Sequence, residues 1–180
     1  MKRKNLTNET SDPPFDLLAP QGTVADKFRR GMECDDPHER TKWLREAAQE
    51  GYMPAICQLG AEAEDHQEKK RLLREAAHEG YVPAMYFYAA ECDNPATQAA
   101  WLQRAAENGY VPAMYELGLR CDDLIDRKRW LTEAAEEGHV ESMEQLGRES
   151  DDPNEQHRWL QEAAKYGSHF ARTVVKNKAR

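Results

Sequence analysis

The chain has 180 residues, with 25 lysines and arginines against 33 aspartates and glutamates and a formal net charge of -8. Three cations sit at each end (Lys2, Arg3, Lys4; Lys176, Lys178, Arg180), leaving 19 against 33 over residues 5–175. So acidic a body disfavours a nucleic-acid backbone as partner, since phosphates need a cationic face, and no run approaches the ~18 apolar residues of a membrane span.

Leu, Ile, Val and Phe together make only 26 residues, below the roughly 20% that separates globular from disordered chains. A further 24 are alanine, and their placement decides the reading. The text Lys42-Trp43-Leu44-Arg45-Glu46-Ala47-Ala48 returns as Arg71-Leu72-Leu73-Arg74-Glu75-Ala76-Ala77. It returns again around Trp101 with Ala105-Ala106, Trp130 with Ala134-Ala135, and Trp159 with Ala163-Ala164, always 29 residues on. A glycine marks each period at 22, 51, 80, 109, 138 and 167. Such regularity is the mark of a helical repeat array.

In chain order, residues 1–11 are basic and then polar, without the apolar stretch of a signal peptide, and read as a disordered tail. Residues 12–21 contain Phe15, Leu18 and Ala19, which fall in register one period before Leu44, Ala47 and Ala48. They read as a degenerate capping helix. Five repeats follow over 22–166, each a helix of about 10 residues and then one of about 14. The longer helix opens at a capping side chain: Asp36, Asp65, Asn94, Asp123 or Asp152. Three residues later stand Glu39, Glu68, Thr97, Asp126 and Glu155, the acidic half of a capping box in four of five copies. Pro37, Pro95 and Pro153 suit the first helical position, where no N–H is needed. At about 1 kcal/mol per cap, this chemistry is comparable with the net stability of a domain. The shorter helices carry Leu59-Gly60, Leu117-Gly118 or Leu146-Gly147 near their middle. They are too short to stand alone and must stack on their neighbours. Alanine pairs allow close stacking and the tryptophans fill the remaining space, so Trp43→Ala or Trp130→Ala is expected to cost about 3–5 kcal/mol. Residues 167–180 keep Ala171 and Val175 in register, turn basic, and read as a closing helix.

The run Trp-x-x-x-Ala-Ala-x-x-Gly followed by Ala-x-x-x-Leu-Gly resembles the SEL-one-like repeat, a relative of the tetratricopeptide repeat. Here Trp101, Ala105, Ala106, Gly109, Ala113, Leu117 and Gly118 carry it. The resemblance implies an all-α right-handed α-α superhelix, a solenoid with the Leu-Gly helices on its concave side. It also implies protein binding, as adaptor or regulator. The sequence departs from the family in its loop, shrunk to Asp-Asp-Pro or Asp-Asn-Pro. Small residues (Cys34, Ala63, Cys92, Cys121, Ser150) also stand where the family often has tyrosine.

On that geometry the concave face presents three columns: Phe28, Cys57, Tyr86, Tyr115, Glu144; then Met32, Ala61, Ala90, Leu119, Arg148; then the carboxylates Asp35, Glu64, Asp93, Asp122, Asp151. Phe28, Met32, Tyr86, Tyr115, Leu119 and the five carboxylates are the candidate partner-binding residues. They fit a protein or peptide with basic residues around an apolar anchor. The tyrosines and the ladder also have a plainer reading, as scaffold and as soluble turn chemistry.

Catalytic signatures are missing. The four cysteines (34, 57, 92, 121) form no Cys-x-x-Cys, and the six histidines form no His-Glu-x-x-His. No metal, cofactor or disulfide is expected. The expected protein is a non-catalytic, cytoplasmic interaction scaffold. An immunity-type protein neutralising a basic toxin is the alternative, self-association through an exposed end a third, and a hydrolase using groove carboxylates the remotest.

Overall fold

The computed structural model of the chain describes residues 22–178. The expected tail (1–11) and degenerate capping helix (12–21) lie outside the described residues. Within them the structure is all-α, without a strand. Short and long helices alternate: α1 (Val24–Glu33), α2 (Pro37–Gln49), α3 (Met53–Glu62), α4 (His66–His78), α5 (Val82–Ala90), α6 (Pro95–Glu107), α7 (Val111–Arg120), α8 (Leu124–Glu136), α9 (Val140–Glu149), α10 (Pro153–Lys165) and α11 (His169–Lys178).

Local chemistry sets both ends of every long helix. Asp36 Oδ1 accepts from the N–H groups of His38 (2.8 Å) and Glu39 (3.1 Å). Asn94 does the same for Ala96 and Thr97, and Asp123 for Ile125 and Asp126. The expected capping boxes are one-sided, because their acidic partners turn to cations instead: Glu68 to Arg71 (2.8 Å), Asp126 to Arg129 (3.0 Å), Glu155 to Lys128 (2.9 Å). At the other end, the Gly109 N–H donates to Ala106 O (2.9 Å) and Tyr110 N–H to Ala105 O (3.0 Å). This is a Schellman motif, and it places Gly109 at φ 85°, where a side chain would be strained. The alanine pair thus supplies both the helix contact and the carbonyls of the cap.

Contacts group into two units, up to Tyr88 and from Ala89 onward. In the first, α1 packs on α2, α2 on α3 and α3 on α4. Leu44, Ala47, Ala55, Leu73, Ala76, Ala77 and Ala84 are its most buried residues. In the second, each of α6 to α10 packs on the helix that follows it. Its core gathers Leu131, Met143, Leu146, Trp159, Leu160, Ala163 and Ala171.

The Leu-Gly pair works by close approach rather than backbone freedom. A Cβ on Gly118 would lie 2.8 Å from Leu131 Cγ, and one on Gly147 2.8 Å from Leu160 Cγ. Absence of a side chain lets the leucine of the next helix sit against the short-helix backbone. That leucine (44, 73, 102, 131, 160) is at most 4% exposed in all five repeats. The tryptophan before it is not the filler that the sequence suggested. Trp43, Trp101 and Trp130 are half-buried, each beneath a guanidinium: Arg30 at 5.2 Å, Arg104 at 5.2 Å and Arg129 at 4.8 Å. Only Trp159 is buried. The large truncation cost assigned to Trp43 and Trp130 therefore belongs to Leu44 and Leu131, since a side chain already in water has less transfer free energy to lose.

Candidate interaction face

The first column joins successive repeats. Phe28 on α1 lies 5.4 Å from the Tyr52 ring that precedes α3, and Tyr115 on α7 lies 4.8 Å from the His139 ring that precedes α9. Cys57 is buried in the same column, and burial pushes its thiol up to about 12. At Glu144 the contact becomes polar: the carboxylate accepts the Ser168 hydroxyl and meets Arg148 at 3.3 Å. Phe28, Tyr86 and Tyr115 are half-buried, so each offers an edge while its body is engaged. Tyr86 meets Phe87 edge-on at 5.5 Å.

The second column is the exposed one. Met32 is 41% and Leu119 39% exposed, and Ala61 and Ala90 are exposed between them in sequence. It ends at Arg148, whose guanidinium lies 4.2 Å over the Phe170 ring. The ladder carboxylates Asp35, Glu64, Asp93, Asp122 and Asp151 are all exposed at the turns.

Phe87 escaped the sequence reading. It is 37% exposed in a column that otherwise holds Arg29, Gln58, Glu116 and Gln145. An aromatic residue among those polar equivalents is the signal that column-by-column comparison offers. Leu124 and Ile125, the most exposed large apolar residues among those described, are a second such case.

Elsewhere the charges satisfy one another. A cleft of about 360 Å³ between α2, α3 and α4 contains Arg71, with Glu68 on one side (2.8 Å) and Glu75 on the other (3.4 Å). Hydrogen bonding to Arg71 holds the Glu68 carboxyl below its ordinary value. No three His, Cys, Asp or Glu side chains among the described residues form a metal-binding group, and no described helix is long and apolar enough to cross a membrane.

The same architecture appears in three crystal structures. A Sel1 repeat protein from Oxalobacter formigenes superposes with a TM-score of 0.77 at 23% identity, over 87% of this chain and 55% of that one. A protective antigen of uropathogenic Escherichia coli with the SLR fold gives 0.72 at 19%, over 87% of this chain and 41% of that one. An immunity protein of Pseudomonas aeruginosa gives 0.64 at 18%, over 86% and 69%. This chain thus has the Sel1-like repeat fold, over about half the length of the first two. No protein-family model and no curated protein matches it.

Proposed function

We propose that the protein is a non-catalytic interaction scaffold whose short-helix face takes a segment of a partner protein, as adaptor or regulator. The observation that carries this reading is the presence of exposed apolar side chains on short helices of each unit, Met32 and Phe87 in the first and Leu119 in the second, with exposed carboxylates at the turns that follow these helices. Large apolar side chains held at a surface by a rigid scaffold are typical of recognition. The ladder favours Lys or Arg beside the partner's apolar anchor.

The test is affinity capture from native lysate with the wild type and with Met32→Ser/Phe87→Ser/Leu119→Ser, each checked for helicity. A protein retained by the wild type and lost by the triple variant supports the reading. An identical set of captured proteins from both contradicts it.

A second reading has its own support: the immunity protein among the structural neighbours, with the acidic body of this chain. Neutralisation of a basic toxin predicts an association rate that falls steeply with salt. An adaptor that grips an apolar anchor predicts a rate nearly independent of it.

A further inference from the structure

The first two residues of α8 break the pattern of the other long helices. Pro37, Pro95 and Pro153 open three of them and His66 the fourth, followed by His38, Ala96, Asn154 and Gln67. Here stand Leu124 and Ile125, 73% and 79% exposed. Neither contributes to a core at that exposure, and proline at this position would favour the helix more. Leu124 borders a cleft of about 300 Å³ that runs to the next turn, shared with the core residue Leu146 and with Asp151.

The charges around the pair divide into engaged and free. Arg127 donates to Gly118 O and Leu119 O (both 3.1 Å) and reaches Glu149 at 3.5 Å. Lys128 is held by Glu155 (2.9 Å) and Asp126 by Arg129 (3.0 Å). Asp123 and Asp152 cap their helices. Asp122 and Asp151 are exposed, and neither is paired with a cation among the described residues. Two uncompensated carboxylates thus flank two exposed aliphatic side chains, one before the pair and one across the cleft.

We propose that this turn edge, which shares the carboxylates Asp122 and Asp151 with the ladder of the short-helix face but has its own apolar pair, is a docking surface for a partner-protein segment carrying a bulky apolar side chain between basic residues. The apolar side chain covers Leu124 and Ile125 and enters the cleft, while its flanking cations meet Asp122 and Asp151. Charge complementarity selects this occupant: an acidic or phosphate-bearing ligand meets only repulsion from the two free carboxylates.

The test is fluorescence anisotropy with short labelled peptides carrying Leu or Phe between paired lysines, against peptides with Ser for the apolar residue or Glu for lysine. The apolar basic peptide is expected to bind and both controls to fail. Leu124→Ser/Ile125→Ser and Asp122→Lys/Asp151→Lys should each weaken binding by about tenfold or more, the loss typical of a central contact. Because the same peptide also suits the short-helix face, Tyr115→Ala/Leu119→Ala is the discriminating variant: binding lost in it while the turn variants bind as wild type places the peptide on the short helices and overturns the proposal. Failure of the short-helix reading is therefore separable from failure of this one. Unchanged thermal unfolding of the serine variant excludes misfolding as the cause. The proposal is overturned if the wild type binds no apolar basic peptide, or if the turn variants bind as well as wild type. It is also overturned if sedimentation shows a dimer that Leu124→Ser/Ile125→Ser dissolves, which makes the occupant a second copy.

Discussion

Asp26 is 3% exposed in the column where the other short helices place Ala55, Ala84, Ala113, Ser142 and Ala171. Burial alone pushes its carboxyl up. The Gly22 N–H, a hydrogen bond from Arg29 and the charge of Arg30 at 3.2 Å outweigh it and hold the carboxyl below its ordinary value. A depressed carboxylate contributes stability above the unfolded-state value and loses it as pH falls through the folded-state value. Asp26→Asn should therefore unfold at a lower temperature than wild type at neutral pH, with the difference closing in acid; a pH-independent difference would contradict this. Cys57, a neutral thiol at ordinary pH, should resist iodoacetamide in the folded protein and react on unfolding in urea. Labelling of the native protein at the rate of an unfolded chain would show the site to be open. Leu131→Ala should cost about 2–5 kcal/mol in urea unfolding, and Trp130→Ala less. Of these residues the sequence marked the columns but not their depth. Trp130 and Leu131 are adjacent and both apolar, and only the position of the next helix decides which one faces it.

Within an element the sequence was most readable, because a cap is a bond between near neighbours. The capping positions Asp36, Asp65, Asn94, Asp123 and Asp152 all hold N-cap bonds, and all six period-marking glycines have positive φ. Asp123→Ala should cost about 1 kcal/mol, read from the shift of the urea midpoint. Between elements the code is weaker. Arg40 on α2 pairs with Glu62 on α3, and Arg127 on α8 with Glu149 on α9, two uses of one column pair. Between α6 and α7 the polarity turns over: Arg120 donates to Gln98 at 3.0 Å. Gln98→Glu should turn that contact into an ion pair and raise stability by about 0.2–1 kcal/mol at low salt, an increment that high salt removes. The inversion is visible in the sequence only when the two columns are read together, since Arg moves to the other side and Gln98 stands where the other pairs have Arg.

For the molecule as a whole, geometry outlasts sequence. The Sel1-like fold is kept at 23% identity, with turns between the helices as short as Asp35-Asp36 and Asp93-Asn94. What carries it is a small set of requirements: a side-chain cap, an alanine pair, a glycine in left-handed backbone, and, in four of the five repeats, a glycine against the next leucine. The proposed interaction surfaces were harder to read, because Phe87, Leu124 and Ile125 satisfy none of these requirements. Their exposure depends on where neighbouring helices end. If each repeat is stabilised by the helices beside it, one whole period is expendable while part of one is not. Deleting residues 109–137 should leave a protein with unchanged helicity per residue and a single cooperative urea transition. Deleting 124–137, the long-helix half of that repeat, should abolish both. Loss of helicity on removing the whole period, or a folded protein after removing half of it, would contradict the account.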